Sequence, residues 1–421
     1  MGKKLKIIAK NPYILSMASK VLSVVVGFLF TIFQSRYLGA EIKGEVATVN
    51  SITSISSIIL GLGIYHAYPY FKKTSGKDLL PVFMRISLLL LVIYSAGAAL
   101  LIAFLKLNPK HIAATVITPL LAYDGIVSYI TLIEYPNRRS VTDMAVNLSE
   151  LLLLIILWVV APPSFVIGVI VITVKDIARG LLFSIWWRKR IFVPSESIWV
   201  WIPKLVRFGF FPMLSLLMTT LNYRLDVLML ENNVPDSAIG VYSVGVLLAE
   251  RIWMIPDALK GVMVSHLSKG KNASETAYVI RISNTACLAI VFALIVLGKP
   301  FIDFAFGAEY NGAYQITMIL MVGVFSLIYY KLIAAYNIAM GKQMVSFFLL
   351  SIGVICNVIA NLILIPVYGI NGAGIASVIS YTLCSVLFIV YFCRETKISF
   401  SSMMFINKED YQRIKKRLKS K

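Results

Sequence analysis

About twelve runs of some 20 predominantly apolar residues dominate this sequence, and a helix of that length crosses the hydrocarbon core of a bilayer. The runs lie at roughly Tyr13–Gln34, Gly44–His66, Met84–Lys106, Ile112–Glu134, Met144–Ala161 and Ser164–Trp187. After a break they continue at Leu205–Leu230, Ala238–Met263, Tyr278–Leu297, Ala313–Met340, Gln343–Pro366 and Gly372–Cys393. They are continuous rather than alternating, which predicts helices and not the strands of a barrel. Only 14% of the 421 residues are charged, against about 25% in a soluble domain, too few to cover a soluble surface. The connections between runs are too short to hold a folded soluble domain.

The charge that remains is lopsided: 40 Lys and Arg against 20 Asp and Glu, a formal +20. In a soluble chain this would point to nucleic acid; in a membrane protein cations mark the cytoplasmic side. With the N-terminus inside, the inner segments collect Lys3, Lys4, Lys6, Lys10, Lys72, Lys73, Lys77, Arg188, Lys189, Arg190 and the basic C-terminus. The outer segments hold only Arg36, Lys43, Lys106, Lys110 and Lys299. The bias predicts both termini in the cytoplasm and no nucleic-acid partner. The first run lacks a small-residue cleavage site and reads as a retained span. Cys287, Cys356, Cys384 and Cys393 lie in or at the ends of apolar runs without CxxC spacing, and His66, His111 and His266 are scattered, so neither a disulfide framework nor a metal site is expected.

The longest inner basic loop, Arg188–Arg207, follows six spans. The expected organisation is an N-terminal six-helix bundle at 1–190, a cytoplasmic linker at 191–204, a C-terminal six-helix bundle at 205–396 and a basic cytoplasmic tail at 397–421. One frame aligns Gly44 with Gly240, Lys73 with Lys269, Arg85 with Arg281 and Ser87 with Ser283, which suggests a parallel repeat of the kind transporters use. In the tail, Tyr411, Ile414 and Leu418 recur among Lys415, Lys416, Arg417 and Lys419, the pattern of an amphipathic helix lying on anionic lipid.

Several stretches are similar to one family. Phe306-Gly307-Ala308-Glu309-Tyr310, then Gly341-Lys342, then Asn357 to Pro366, then Tyr368-Gly369-Ile370-Asn371-Gly372-Ala373-Gly374 follow in order in the second half. Arg36-Tyr37-Leu38-Gly39, Asn222-Tyr223-Arg224-Leu225-Asp226 and Gly240-Val241-Tyr242-Ser243 add to them. Together they resemble the Wzx-type O-antigen and polysaccharide flippases of the multidrug/oligosaccharidyl-lipid/polysaccharide (MOP) exporter superfamily. The resemblance implies an all-α polytopic membrane protein whose two pseudo-symmetric six-helix bundles form a V-shaped central cavity. It also implies a multi-pass protein of the bacterial inner membrane that is not an enzyme. Its cargo would be an undecaprenyl-diphosphate-linked oligosaccharide, an O-antigen or capsule repeat unit moved from the cytoplasmic to the periplasmic leaflet by alternating access. A polysaccharide polymerase complex is a partner in such a pathway.

A diphosphate crossing hydrocarbon calls for cations, and a charge at mid-bilayer costs about 2.5–3.5 kcal/mol on insertion scales, so such residues face the bundle interior or water. Arg251, about 20 Å into the eighth span, leads the diphosphate ligands, because guanidinium pairs with phosphate bidentately. Lys175 and Arg179 share a face of the sixth span with Asp176. Arg224, Lys20 and Lys331 complete the substrate-binding set. Each has a plainer reading, as an ion-pair partner or a snorkelling side chain. Asp124 and Asp226 are candidates for a coupling ion, H⁺ or Na⁺, with charge balance as their plainer role. Asn357 and Asn361, one turn apart, are expected to bond between helices. No cofactor is expected. The rival readings are a multidrug cation antiporter of the same superfamily, a membrane glycan polymerase or acyltransferase, and a structural scaffold.

Overall fold

The computed structural model describes residues 12–267, 273–408 and 410–412, with side chains from 22 onward except at 262 and 265. Among them the chain is helical without strands. The helices are α1 (Pro12–Leu60), α2 (Ile64–Ser75), α3 (Leu80–Phe104), α4 (Pro109–Glu134), α5 (Pro136–Val160) and α6 (Phe165–Ile191). They continue as α7 (Ile198–Leu230), α8 (Asp236–Glu250), α9 (Met254–Leu267), α10 (Ala273–Ala305), α11 (Ala313–Ala339) and α12 (Gln343–Thr396).

Local chemistry sets several of these starts. Pro109 and Pro136 stand in the first turns of α4 and α5, where a missing N–H costs nothing. Asn108 and Ser164 cap α4 and α6, accepting from the backbone N–H of His111 and Ile167.

Two expected span pairs are not separated by loops. α1 and α12 run through 49 and 54 residues and bend at Gly39 (φ 72°) and Gly369 (φ 54°), the left-handed region that glycine enters without a Cβ clash. The first two and last two spans are therefore helix pairs joined at single glycines. The eighth span is also not one helix: a 3₁₀ turn, Arg251–Trp253, separates α8 from α9. Pro256 lacks the N–H that would bond the Ile252 carbonyl, and that carbonyl accepts from Cys287 Sγ instead, at 3.4 Å. α6 carries more charge than the other crossing helices, yet its 27 residues make it about 40 Å long, ample to span.

Phe104, Val159, Phe292, Leu297, Phe304 and Val367 are exposed apolar side chains, as expected of surface that faces lipid. The chain is a multi-pass membrane protein.

It divides into two compact units, Met1–Thr220 and Leu221–Lys421. The boundary between the units falls inside α7, and the segment expected as linker carries the start of that helix. The first unit's core joins Phe83, Met84, Ile126, Ile130, Phe183 and Leu205. A second cluster packs Phe30, Leu38 and Val46 of α1 against Leu151, Leu154 and Val171. In the second unit α11 packs most extensively on α12, burying Ile316, Leu327, Ile328, Ile333, Phe388 and Phe392.

Arg85 and Arg281, aligned by the repeat frame, do equivalent work. Arg85 donates to the Ile191 and Val193 carbonyls and to Ser195 Oγ, at 2.7, 2.5 and 3.1 Å. Arg281 donates to both oxygens of Asp410, at 2.5 and 2.7 Å, and to the Ser402 carbonyl at 2.6 Å. Each arginine clasps the segment that follows the last span of its own half. Nearby in the first unit, Lys77 and the Trp201 indole bond Glu196, and the lysine, then the indole, hold that carboxyl below its ordinary range. Of the lipid-binding helix expected of the tail, Tyr411 is described and the residues from 413 onward lie outside the described residues.

Candidate substrate and ion sites

In the first unit the charges of α4, α5 and α6 form two groups, one around Arg179 and the other the pair Lys175–Glu150. Arg179 of α6 grips Asp124 of α4 with two nitrogens, one of them Nε at 3.1 Å from Oδ1. It also bonds Asp176 at 2.6 Å and lies 3.6 Å from Asp143 of α5. Arg139 bonds the other oxygen of Asp143 at 2.6 Å. Lys175 pairs with Glu150 of α5 at 3.3 Å, its ammonium 5.7 Å from the centre of the Phe30 ring. Gly180 of α6 faces Asp124: an added Cβ there would sit 3.5 Å from Asp124 Cβ, an ordinary van der Waals contact. Three cations thus face four carboxylates; short charge-assisted bonds compensate the burial of Asp124, whereas Glu150 has only the longer Lys175 ion pair.

In the second unit a carboxylate is buried by a different chemistry. Asp226 of α7 is 3% exposed. It accepts from the Tyr242 hydroxyl of α8, from Ser377 Oγ of α12 at 3.2 Å and from the Val227 backbone N–H at 2.9 Å. One turn earlier, Asn222 accepts from Ser380, which is also bonded to the Gly353 carbonyl; both distances are 2.9 Å. Asn357, one turn beyond Gly353, accepts from Asn361 at 3.0 Å, so this pair bonds along its own helix rather than between helices. The amide nitrogens of Asn222 and Asn357 and the amide oxygen of Asn361 are buried without a hydrogen-bond partner. Buried amides in that state are costly, which marks the cluster as more than packing.

The remaining candidate cations of this unit are placed as follows. Lys331 of α11 is held by both oxygens of Asp257, at 3.0 and 2.9 Å, and lies over the Trp253 ring at 4.6 Å. Arg224 lies 3.8 Å from Glu250. Arg251 opens the 3₁₀ turn, half-buried, directly after Glu250. The side chain of Lys20 lies outside the described residues.

The structure therefore pairs Arg179 with Asp124 and Lys175 with Glu150 in the first unit, while Asp226 belongs to the second. It adds residues that sequence reasoning passed over: Asp143 and Glu150, Asp257, and the Tyr242, Ser377 and Ser380 hydroxyls. Asp143 and Glu150 had a readable signal, since carboxylates seven residues apart share a helix face. The hydroxyls had none, because they come from helices distant in sequence.

No protein-family model matches the sequence. An uncharacterized membrane protein of Methanocaldococcus jannaschii is 29% identical over 143 residues, so the chain matches 34% of that relative's length and 34% of its own. Among solved structures, the lipid II flippase MurJ in an inward closed conformation is similar with a TM-score of 0.71 and 16% identity, over 93% of this chain and 89% of that one. An inward-facing multidrug resistance MATE family transporter of the MOP superfamily matches with a TM-score of 0.63 and 14% identity, over 91% and 98%. A MOP superfamily transporter from Pyrococcus furiosus, described as having a binding pocket of reverse polarity, matches with a TM-score of 0.58 and 14% identity over 93% and 97%. The fold is that of the MOP-superfamily transporters. These neighbours are transporters and flippases, not enzymes.

Proposed function

We propose that the protein is a Wzx-type flippase. Its cargo is an undecaprenyl-diphosphate-linked oligosaccharide, an O-antigen or capsule repeat unit, which it carries from the cytoplasmic to the periplasmic leaflet of the inner membrane by alternating access, with both termini inside. The observation that carries the reading is the likeness, over 93% of the chain, to a structure described as a lipid II flippase. The cations at membrane depth support it: Arg251, Arg224 and Lys331 in one unit, Lys175 and Arg179 in the other, offer partners for a diphosphate. Arg251 is the lead ligand. Asp226 is the lead site for the coupling ion, H⁺ or Na⁺, because hydroxyls and a backbone N–H surround it, whereas Asp124 is already matched by Arg179. A polysaccharide polymerase complex is the expected partner in the pathway.

Arg251→Ala abolishes glycan export at a normal protein level, measured by surface glycan display in a deletion strain. Full export by that variant would refute the assignment. Arg251→Lys retains part of the activity if point charge suffices.

A second reading, a multidrug cation antiporter, is favoured by one observation: the first unit's two charge groups hold more carboxylates than cations. Efflux of a cationic dye by proteoliposomes, with no movement of lipid-linked glycan, would select it.

A further inference from the structure

Lys175 and Glu150 differ in what they can reach. The Lys175 side chain is 33% exposed, while that of Glu150 is 3% exposed, so the lysine is the accessible member of the pair and the carboxylate the buried one. Among the described residues Lys175 is the only cation within ion-pair distance of Glu150. The other charged groups near Glu150 are Asp176 and Arg179 on α6, and Arg179 is already engaged with Asp124, Asp176 and Asp143. From α1, Lys43 adds a second positive charge close enough to act on Lys175, and its own ammonium is held by Gln34. Lys175 thus has a like charge acting on it from α1, and among the described residues Glu150 has Lys175 as its ion-pair partner.

From this geometry we infer that Glu150 is a proton acceptor coupled to anion binding: a diphosphate that takes the Lys175 ammonium makes Glu150 take up a proton. Two like charges cannot both persist at a shared buried site, and the carboxylate is the one shut away from water. The ion pair Lys175–Glu150 becomes an ion pair Lys175–phosphate plus a neutral Glu150 carboxylic acid. The proton comes from solution on the side where the anion is loaded, and no other bond changes. On release the proton leaves and Lys175 returns to Glu150. Occupancy of the site by cargo is thereby tied to one proton. The inference rests on the diphosphate-cargo reading and assigns to Glu150 a role distinct from that of Asp226.

The test is calorimetry on the full-length protein in detergent, titrated with the symmetrical dimethyl diester of pyrophosphate, whose two charges do not titrate near neutrality. Repeating it in two buffers of different ionisation heat counts protons. Wild type takes up about one proton per diester bound near pH 7, and its affinity falls about tenfold per pH unit where free Glu150 is ionised. Glu150→Gln binds the diester with no proton uptake and no such pH slope. Lys175→Met loses most of the binding. The double variant Glu150→Leu with Lys175→Met, which replaces the ion pair by an apolar one, folds and takes up no proton. Diester binding by wild type without proton uptake, or equal uptake by Glu150→Gln, overturns the inference and leaves the cargo reading standing. No binding by wild type overturns both.

Discussion

Asp124 and Asp226 are equally buried, yet the protein keeps them by opposite means. Asp124 sits against a guanidinium that also serves Asp176 and Asp143, so its charge is matched by a permanent cation. Asp226 sits among hydroxyls and a backbone N–H, none of which carries a charge. The first arrangement holds three helices together through charge and fails when one member is lost. The second stabilises a carboxylate without neutralising it, and so leaves room for a proton or a monovalent cation to do so. Placed side by side, they separate a structural use of intramembrane charge from an adjustable one.

The comparison is broken most directly at Arg179. Arg179→Ala strands Asp124 and Asp176 in the first unit and is expected to cost about 3–5 kcal/mol, read as a large fall in thermal stability in detergent. Adding Asp124→Asn recovers part of it. Asp226→Asn has the smaller effect, about 1 kcal/mol, since an amide fits the same hydroxyl cluster. It removes the part of any Na⁺ or pH dependence of the melting temperature that Asp226 itself contributes. A larger loss at Asp226 than at Arg179 would reverse the assignment of the two sites.

The smallest effect lies at the Glu196 crosslink. Because Lys77 and Trp201 hold the Glu196 carboxyl below its ordinary value of 4.5, their bonds to it are present above that pH and lost as pH falls through the depressed value. Tryptophan fluorescence, taken as the difference from Glu196→Gln, shows a transition below pH 4.5. A midpoint at or above that value would mean the crosslink does not form.

Much of the fold was legible because the bilayer sets it. Every backbone polar group in hydrocarbon must bond within its own segment, so a run such as Leu80–Phe104 has little choice but a helix. The glycine bends were half-visible: Gly39 and Gly369 were recognisable as turn residues, but not that α1 and α12 would run through them without a loop. The 3₁₀ turn at Arg251 had its cause in plain sight at Pro256. The site was legible only as single charges. Lys175, Arg179, Asp124 and Asp226 stood out by depth alone, whereas their partners did not. Glu250, adjacent to Arg251 in sequence, lies instead beside Arg224 on the neighbouring helix.

The sequence by itself determined that this chain spans a membrane with helices, along which stretches the apolar runs lie, and which side chains would be expensive to bury. Those are one-dimensional properties, set by the length and hydropathy of each run. Only the tertiary structure decided which expensive residues compensate one another. It put Glu150 beside Lys175, three carboxylates around Arg179, and Tyr242 and Ser377 on Asp226. An ion pair or hydrogen bond depends on ångström-scale separation between helices far apart in the chain, and helix packing alone sets that distance.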